Sequence, residues 1–509
     1  MKTRKLQSRY FLLACALGLS ACQESNKSPR DTLTTIVANP VQSLNPLYST
    51  DAASQRINEL IHSALVSLND QLVPEPYLAE SIKLIDPLTI EFKLREGCRF
   101  ANGRPITTDD VEQSLLFFNH PENKSAFLET FKLITKFERI DDLRFRLVTA
   151  KPAPGLITDL DLLKILDLST VKPGEKLSSL PGSGPFKLVS LSAAEIRLKR
   201  QIQPCLPTPP LDKIVIKVVR DDLSRFLKLK TGEIDLVLNE MNYRKVELIE
   251  NDPSLPMAVK KADGIGYSYL GLNLVAPHLQ DVRVRRAIAL SLDVPSLIKY
   301  KSRGMASPAR NLLADNNFFA NLEVPVVQRD LEEARRLLGE AGYNNGRNGK
   351  PPLQLTLKTN TNTISVENAR VIVAQAKEAG IELKHLAHDW GIFYNDVKTG
   401  NTEIYSLRWV GVTDPRIYFE AFHSGEFGRN NRTRYRNPEL DLLLEKGESL
   451  LDPAARKKVY AEVQALVARD LPYIGLWYGN NVAVFRKELK NVSLHPSGKW
   501  LPILSMSKE

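Results

Sequence analysis

The hydrophobic pattern of this chain switches between two periods along its length, and that switching restricts it to sheets flanked by helices. Thr89–Leu94 (Thr-Ile-Glu-Phe-Lys-Leu) alternates polar and apolar, and residues 213–219 form a second strong strand; alternation is the mark of a half-buried strand. Further strands fall at 32–38, 144–148 and 234–238, a hairpin at 186–190 with 195–199, and a returning strand at 472–478. Elsewhere the period lengthens to 3.6. Leu331, Ala334, Leu337, Leu338 and Ala341 share one face, with Asp330 to cap the first turn and Gly342 to end the last. Asp221 or Asp222 caps a helix ending near Gly232, Asp281 opens another, and Asn437-Pro438 and Asp452-Pro453 are cap-plus-proline starts. Residues 353–358, a helix over 365–379, Gly380 and residues 381–386 spell a β-α-β unit. The class is α/β with a mixed sheet. At 509 residues the chain exceeds one ordinary core, so two or more domains are expected.

The N-terminus reads differently. Lys2, Arg4, Lys5 and Arg9 precede an apolar stretch over 11–19, too short to span a bilayer, and Leu19-Ser20-Ala21-Cys22 follows. The string resembles a bacterial lipobox: residues 1–21 are then a leader, and Cys22 is the lipidated first residue of a tether over 22–31. Two or more acyl chains hold such an anchor on a membrane. Without the four leader cations, 65 Lys and Arg face 59 Asp and Glu, a mild +6. No run of five like charges concentrates that excess, which argues against a nucleic-acid partner. Cys98 and Cys205 remain in the body, and whether they pair is left open.

Motifs of catalysis are not found: no G-x-S-x-G, P-loop, G-x-G-x-x-G or H-E-x-x-H. His385-x-x-His388 with Asp389 lacks the ligand count of a metal site and reads as a solvent-side pair. The pairs Asp109-Asp110 and Asp141-Asp142 read as a helix start and a turn. No enzyme, metal or cofactor is expected.

Several strings occur in a particular order: Ser43-Leu44-Asn45-Pro46; Leu78-Ala79-Glu80-Ser81; Leu94-Arg95-Glu96-Gly97 through Asn102-Gly103-Arg104-Pro105 to Asp109-Asp110-Val111; Gly182-Ser183-Gly184-Pro185-Phe186; Lys230-Thr231-Gly232-Glu233-Ile234-Asp235; Asp281 to Ile288; Asp414-Pro415; and Asn437-Pro438-Glu439-Leu440-Asp441. In this order they resemble the solute-binding family that includes the oligopeptide- and dipeptide-binding proteins, over roughly residues 32–500.

The resemblance implies a two-lobed, periplasmic-binding-protein-like flytrap with an extra insert domain in the first lobe. Lobe I would take 32–48, 175–265 and 470–509, the insert 49–174, and lobe II 266–469. The protein would be a monomer at the outer face of a bacterial membrane, handing a peptide or similar polar solute to an ABC permease and ATPase. In the family's peptide binders the ligand backbone adds as a strand between two segments, which match Ser43, Leu44 and Asn45 on one side and Leu407, Arg408, Trp409 and Val410 on the other. An aspartate three residues past the tryptophan pairs with the ligand ammonium, and here that position is Val412. Asp414 is the nearby acid, and Arg416 a nearby charge for other solutes. A sugar, opine or metal chelate stays open as ligand, as does a sensor or chaperone-like role.

Overall fold

Every residue of the strand Thr32–Val37 is buried. It pairs in parallel with Lys213–Val218, and parallel strands are usually covered on both faces, which suits a run of threonine, leucine, isoleucine and valine. Lys213–Val218 continues into Glu195–Arg200, which forms the expected hairpin with Phe186–Leu191. Leu33, Ile214 and Ile216 of this four-stranded sheet pack with Ile57 and Leu60 of the helix Ala52–Ile61 and with Trp500. The structure, a computed structural model, describes residues 28–41, 43–49, 51–169, 171, 179–343 and 351–509. The expected leader, Cys22 and most of the tether lie outside the described residues.

A second body is built on the antiparallel sheet Ala79–Asp86, Thr89–Leu94, Arg144–Thr149, Ile134–Arg139. Alternation puts Phe92, Phe145 and Phe137 on one face, where Phe145 stacks on the other two rings at 5.3 and 4.8 Å. The helix Thr108–Asn119 starts where expected, with a capping box between Thr107 and Asp110. Cys98 and Cys205 form a disulfide with Cα atoms 5.0 Å apart, which ties this body to the proline-rich loop that follows Arg200.

The third body holds a seven-stranded sheet in the order Leu236–Leu238, Tyr473–Arg486, Met257–Leu272, Ile404–Trp409, Leu353–Asn360, Ile381–His388, with Ala306–Pro308 against Tyr473–Arg486. Helices Val282–Leu290, Leu331–Glu340 and Thr363–Glu378 cover one face. Helices Ile417–Phe422, Pro438–Ser449 and Pro453–Asp470 cover the other. Two strands are long. Met257–Leu272 has 16 residues, and the strand expected at 472–478 runs on to Arg486. Their ribbon passes between cores: Met257, Val482 and Val484 pack with Ile36 and Leu229, whereas Tyr267, Tyr269, Tyr473 and Tyr478 pack with Tyr418 and Tyr460.

The register shifts between Ala262 and Gly266, where the ribbon crosses from one core to the other. A Cβ on Gly264 would lie 2.1 Å from the Gly479 carbonyl oxygen, so the crossing needs glycine there. Two strands that cross between cores at an irregular point can act as a hinge of the kind that carries domain closure.

Candidate functional site

Two adjoining cavities, about 340 and 280 Å³, open between the bodies at this crossing, a size suited to small ligands. Arg56, Val410, Gly411 and Ser497 line both. One wall is the helix Ala52–Ile61 with Pro46 and Ser49 before it; the opposite wall is Val410, Gly411 and Thr413. The hinge strands, at Gly264–Ile265–Gly266 and Gly479 to Val482, close the smaller cavity.

The larger cavity carries charges of both signs. Asp161 and Lys499 pair, each 9% exposed, and the Lys164 ammonium donates to the Asp161 carbonyl at 2.8 Å. Glu59 accepts from the Trp500 amide at 3.1 Å, and burial raises its pKa against the pull of Lys499 and Lys164. Asp159 is pushed up to about 7, first by burial and then by the charge of Asp414. The pKa of Arg56 is lowered by burial, against Glu240 and Glu59.

The expected site residues separate in the structure. Leu44 is buried and bridges to Ser179, Asn45 is buried with its side-chain oxygen accepting from the Leu47 amide, and the Ser43 hydroxyl accepts from the Asn45 amide. None of the three lines a cavity, but the adjacent Pro46 does. On Ile404–Trp409 the two-residue period divides the set. Arg408 and Val410 face the cleft, while Leu407 and Trp409 pack toward the aromatic core. The Arg432 guanidinium lies 4.7 Å over the Trp409 ring. Val412 is also in that core, 4% exposed.

Asp414 is engaged elsewhere: Arg456 donates to both its oxygens at 2.8 Å, and the Arg416 amide donates to Oδ1 at 2.9 Å. The Arg416 side chain lies 3.8 Å from both Glu420 and Glu448. Arg56, Asp159, Lys164 and Lys499 escaped the sequence reading, since nothing local in their segments marks them as facing a cleft. For Arg408 the signal was available, because alternation alone sets it on the face opposite Trp409.

The insert body also reaches across the cleft. Leu72, at the tip of the turn after Val66–Leu68, takes a left-handed backbone at φ 62 and is 3% exposed within the cluster of Tyr267, Leu312 and Phe393. The Phe318 amide donates to the Gln71 carbonyl at 3.1 Å. Asn69 holds the turn by accepting from the Gln71 and Val73 amides. Opening the cleft would expose Leu72. Leu72→Ala should therefore cost closure about 2–4 kcal/mol, seen as a roughly 30-fold or greater loss of solute affinity in calorimetry.

Bodies joined by crossed strands over a charged cleft define a solute-binding protein of the flytrap class. Residues 73–429 match the model for bacterial extracellular solute-binding proteins, family 5. The chain belongs to that family. It is 27% identical to the oligopeptide-binding protein AppA of Bacillus subtilis (strain 168), with 97% of each chain covered. It is 26% identical to heme-binding protein A of Haemophilus influenzae, over 97% of this chain and 98% of the relative. Among solved structures, that of HbpA2 from Haemophilus parasuis matches with a TM-score of 0.85 at 22% identity, over 94% of this chain and all of that one.

Proposed function

We propose that the chain captures a short peptide, or a peptide-like amine, for an ABC-type importer, closing its lobes about the crossed strands. The observation that carries the peptide part is a half-paired strand. Ile404–Trp409 pairs along its length with Met257–Leu272, but on its other side only Ile404 and Tyr405 pair, with Leu357 and Lys358. The edge beyond Tyr405, which leads to Val410 in the cleft, can take an extended peptide as an added strand. A relative named for oligopeptides supports this reading. The lobe division expected from the resemblance is kept, except that the helix Ala52–Ile61 packs on the sheet of the first lobe and goes with it, and that residues 473–479 pair with 266–271 and go with the second lobe. For anchoring, the proposal keeps Cys22 as lipid site. Cys22→Ser should abolish fatty-acid labelling and release the protein from membranes.

For the ligand amine we assign Asp159, since Val412 is core and Asp414 belongs to Arg456. Asp159 lines the cavity, with Asp414, Arg416, Glu420 and Glu448 as its charged neighbours. The sign of the pH dependence follows. Its pKa as buried here, about 7, exceeds the ordinary value of roughly 4, so closure that buries it takes up a proton and weakens as pH rises from 4 to 7. An ammonium beside Asp159 favours the ionised form and removes that trend. Calorimetry between pH 5.5 and 7.5 should show the affinity of a free-amine peptide changing little, and its acetylated form binding less tightly at the higher pH. Asp159→Asn should flatten the trend of the acetylated form. Identical trends for the two peptide forms would remove Asp159 from the site, and failure of both to bind would point to a non-peptide solute.

A further inference from the structure

We propose that Arg56 and Arg408, one from each side of the hinge, clamp a carboxylate of the solute in the smaller cavity. The inference rests on the solute-binding reading above and adds the charge class of the ligand. Among the described residues no acidic side chain lines this cavity, and its charged groups are the two arginines. Its other polar lining comes from Asn239, Tyr243, Asn480, Asn481 and Ser497. Asn239 and Asn481 are already bonded to each other at 2.9 Å, and Asn481 also donates to the Pro496 carbonyl at 2.7 Å. Among the described residues neither guanidinium has an ion pair or a hydrogen bond, although Glu240 and Glu59 act on Arg56 through space. An anion in a cavity lined by two guanidiniums is attracted by both and can accept hydrogen bonds from each.

The place of Arg408 is built by glycine. A Cβ on Gly266 would lie 2.1 Å from an Arg408 terminal nitrogen, and one on Gly479, its cross-strand partner, 3.4 Å from the same nitrogen. The guanidinium thus lies over the bare backbone of both hinge strands. Because Arg56 comes from the first lobe and Arg408 from the second, an anion held by both also favours the closed state, by differential contact.

The test uses calorimetry and thermal melting of the whole mature chain with four probes: trialanine, trialanine amide, succinate and succinamide. Trialanine should bind at least roughly tenfold more tightly than its amide. Arg56→Gln and Arg408→Gln should erase that difference by weakening the acid alone. Gly266→Ala, which pushes the guanidinium off its seat, should do the same without removing a charge. Succinate should raise the Tm of the wild type and not of the arginine variants, and succinamide should do neither. If trialanine and its amide bind alike, the peptide reading stands and the clamp is overturned. If neither peptide binds but succinate still acts through Arg408, the clamp stands and the peptide reading falls. An acid preference that survives in the arginine variants overturns the clamp, and no binding by any probe overturns both.

Discussion

Arg456→Met is expected to lower stability by about 3–5 kcal/mol, measured as the denaturant midpoint of the lobe that carries it. Arg456 projects from the helix Pro453–Asp470 and is 2% exposed. It holds both oxygens of Asp414, lies 3.3 Å from Glu448 and donates to the Gly447 carbonyl. Phe319 and Tyr460 cover the guanidinium at 5.3 and 5.2 Å. Methionine fills much of that space but leaves Asp414, Glu448 and the neighbouring Asp159 with Arg416 as their remaining cation. The cost comes from uncompensated acids rather than lost packing. Arg456→Met combined with Asp414→Asn should therefore recover a large part of the loss, a coupling a double-mutant cycle measures directly. The pair argues against Asp414 as a replacement for the carboxylate absent at Val412, since a ligand amine would have to compete with a bidentate, buried arginine. A single substitution of neutral effect would mean that Asp414 is free for the ligand.

Removing the disulfide with Cys98→Ala and Cys205→Ala should cost about 4 kcal/mol in the unfolding of the insert body. The bond joins positions 107 apart in sequence, and a closed loop of that length restricts the unfolded chain strongly. The contact does not rest on sulfur alone. Gln203 accepts from the Arg99 amide at 3.0 Å and donates to the Ser183 carbonyl at 3.1 Å. The reduced protein should keep its fold at room temperature and lose several degrees of Tm. Neither cysteine lines the cleft, so solute affinity should stay unchanged. Equal melting with and without reductant would contradict this account.

Helices with strong caps were legible in the sequence because their chemistry is local. Asp281, Asp330, Asn437 and Asp452 each accept from amides in the first turn of the helix they were assigned to. The strand Met257–Leu272 was not legible. Its centre reads Lys260-Lys261-Ala262-Asp263-Gly264, with no alternation, since a strand leaving one core for another has no single buried face there. The helix Ala52–Ile61 was missed as well. Its buried positions Ser54, Ile57, Asn58, Leu60 and Ile61 include two polar residues that blur the apolar stripe.

The cleft was partly legible. The chain path through Pro46, Arg408 and Val410 followed from the resemblance, but Arg56, Asp159, Lys164 and Lys499 did not. Arg56 and Lys499 are 443 positions apart and line the same cavity, a juxtaposition only the tertiary fold creates. Of the two neighbours expected at the site, Arg408 faces the cleft and Trp409 packs into the aromatic core.

The proposed function requires that one small solute occupy the cleft between the two lobes. Native mass spectrometry of the mature chain, incubated with a millimolar pool of di- to hexapeptides, counts that occupancy. One-to-one adducts of a few peptides are expected, enriched for free carboxylates and diminished by Leu72→Ala and Arg408→Gln. A spectrum holding only the bare protein mass, or adducts of any stoichiometry that neither substitution alters, would overturn the solute-binding cleft.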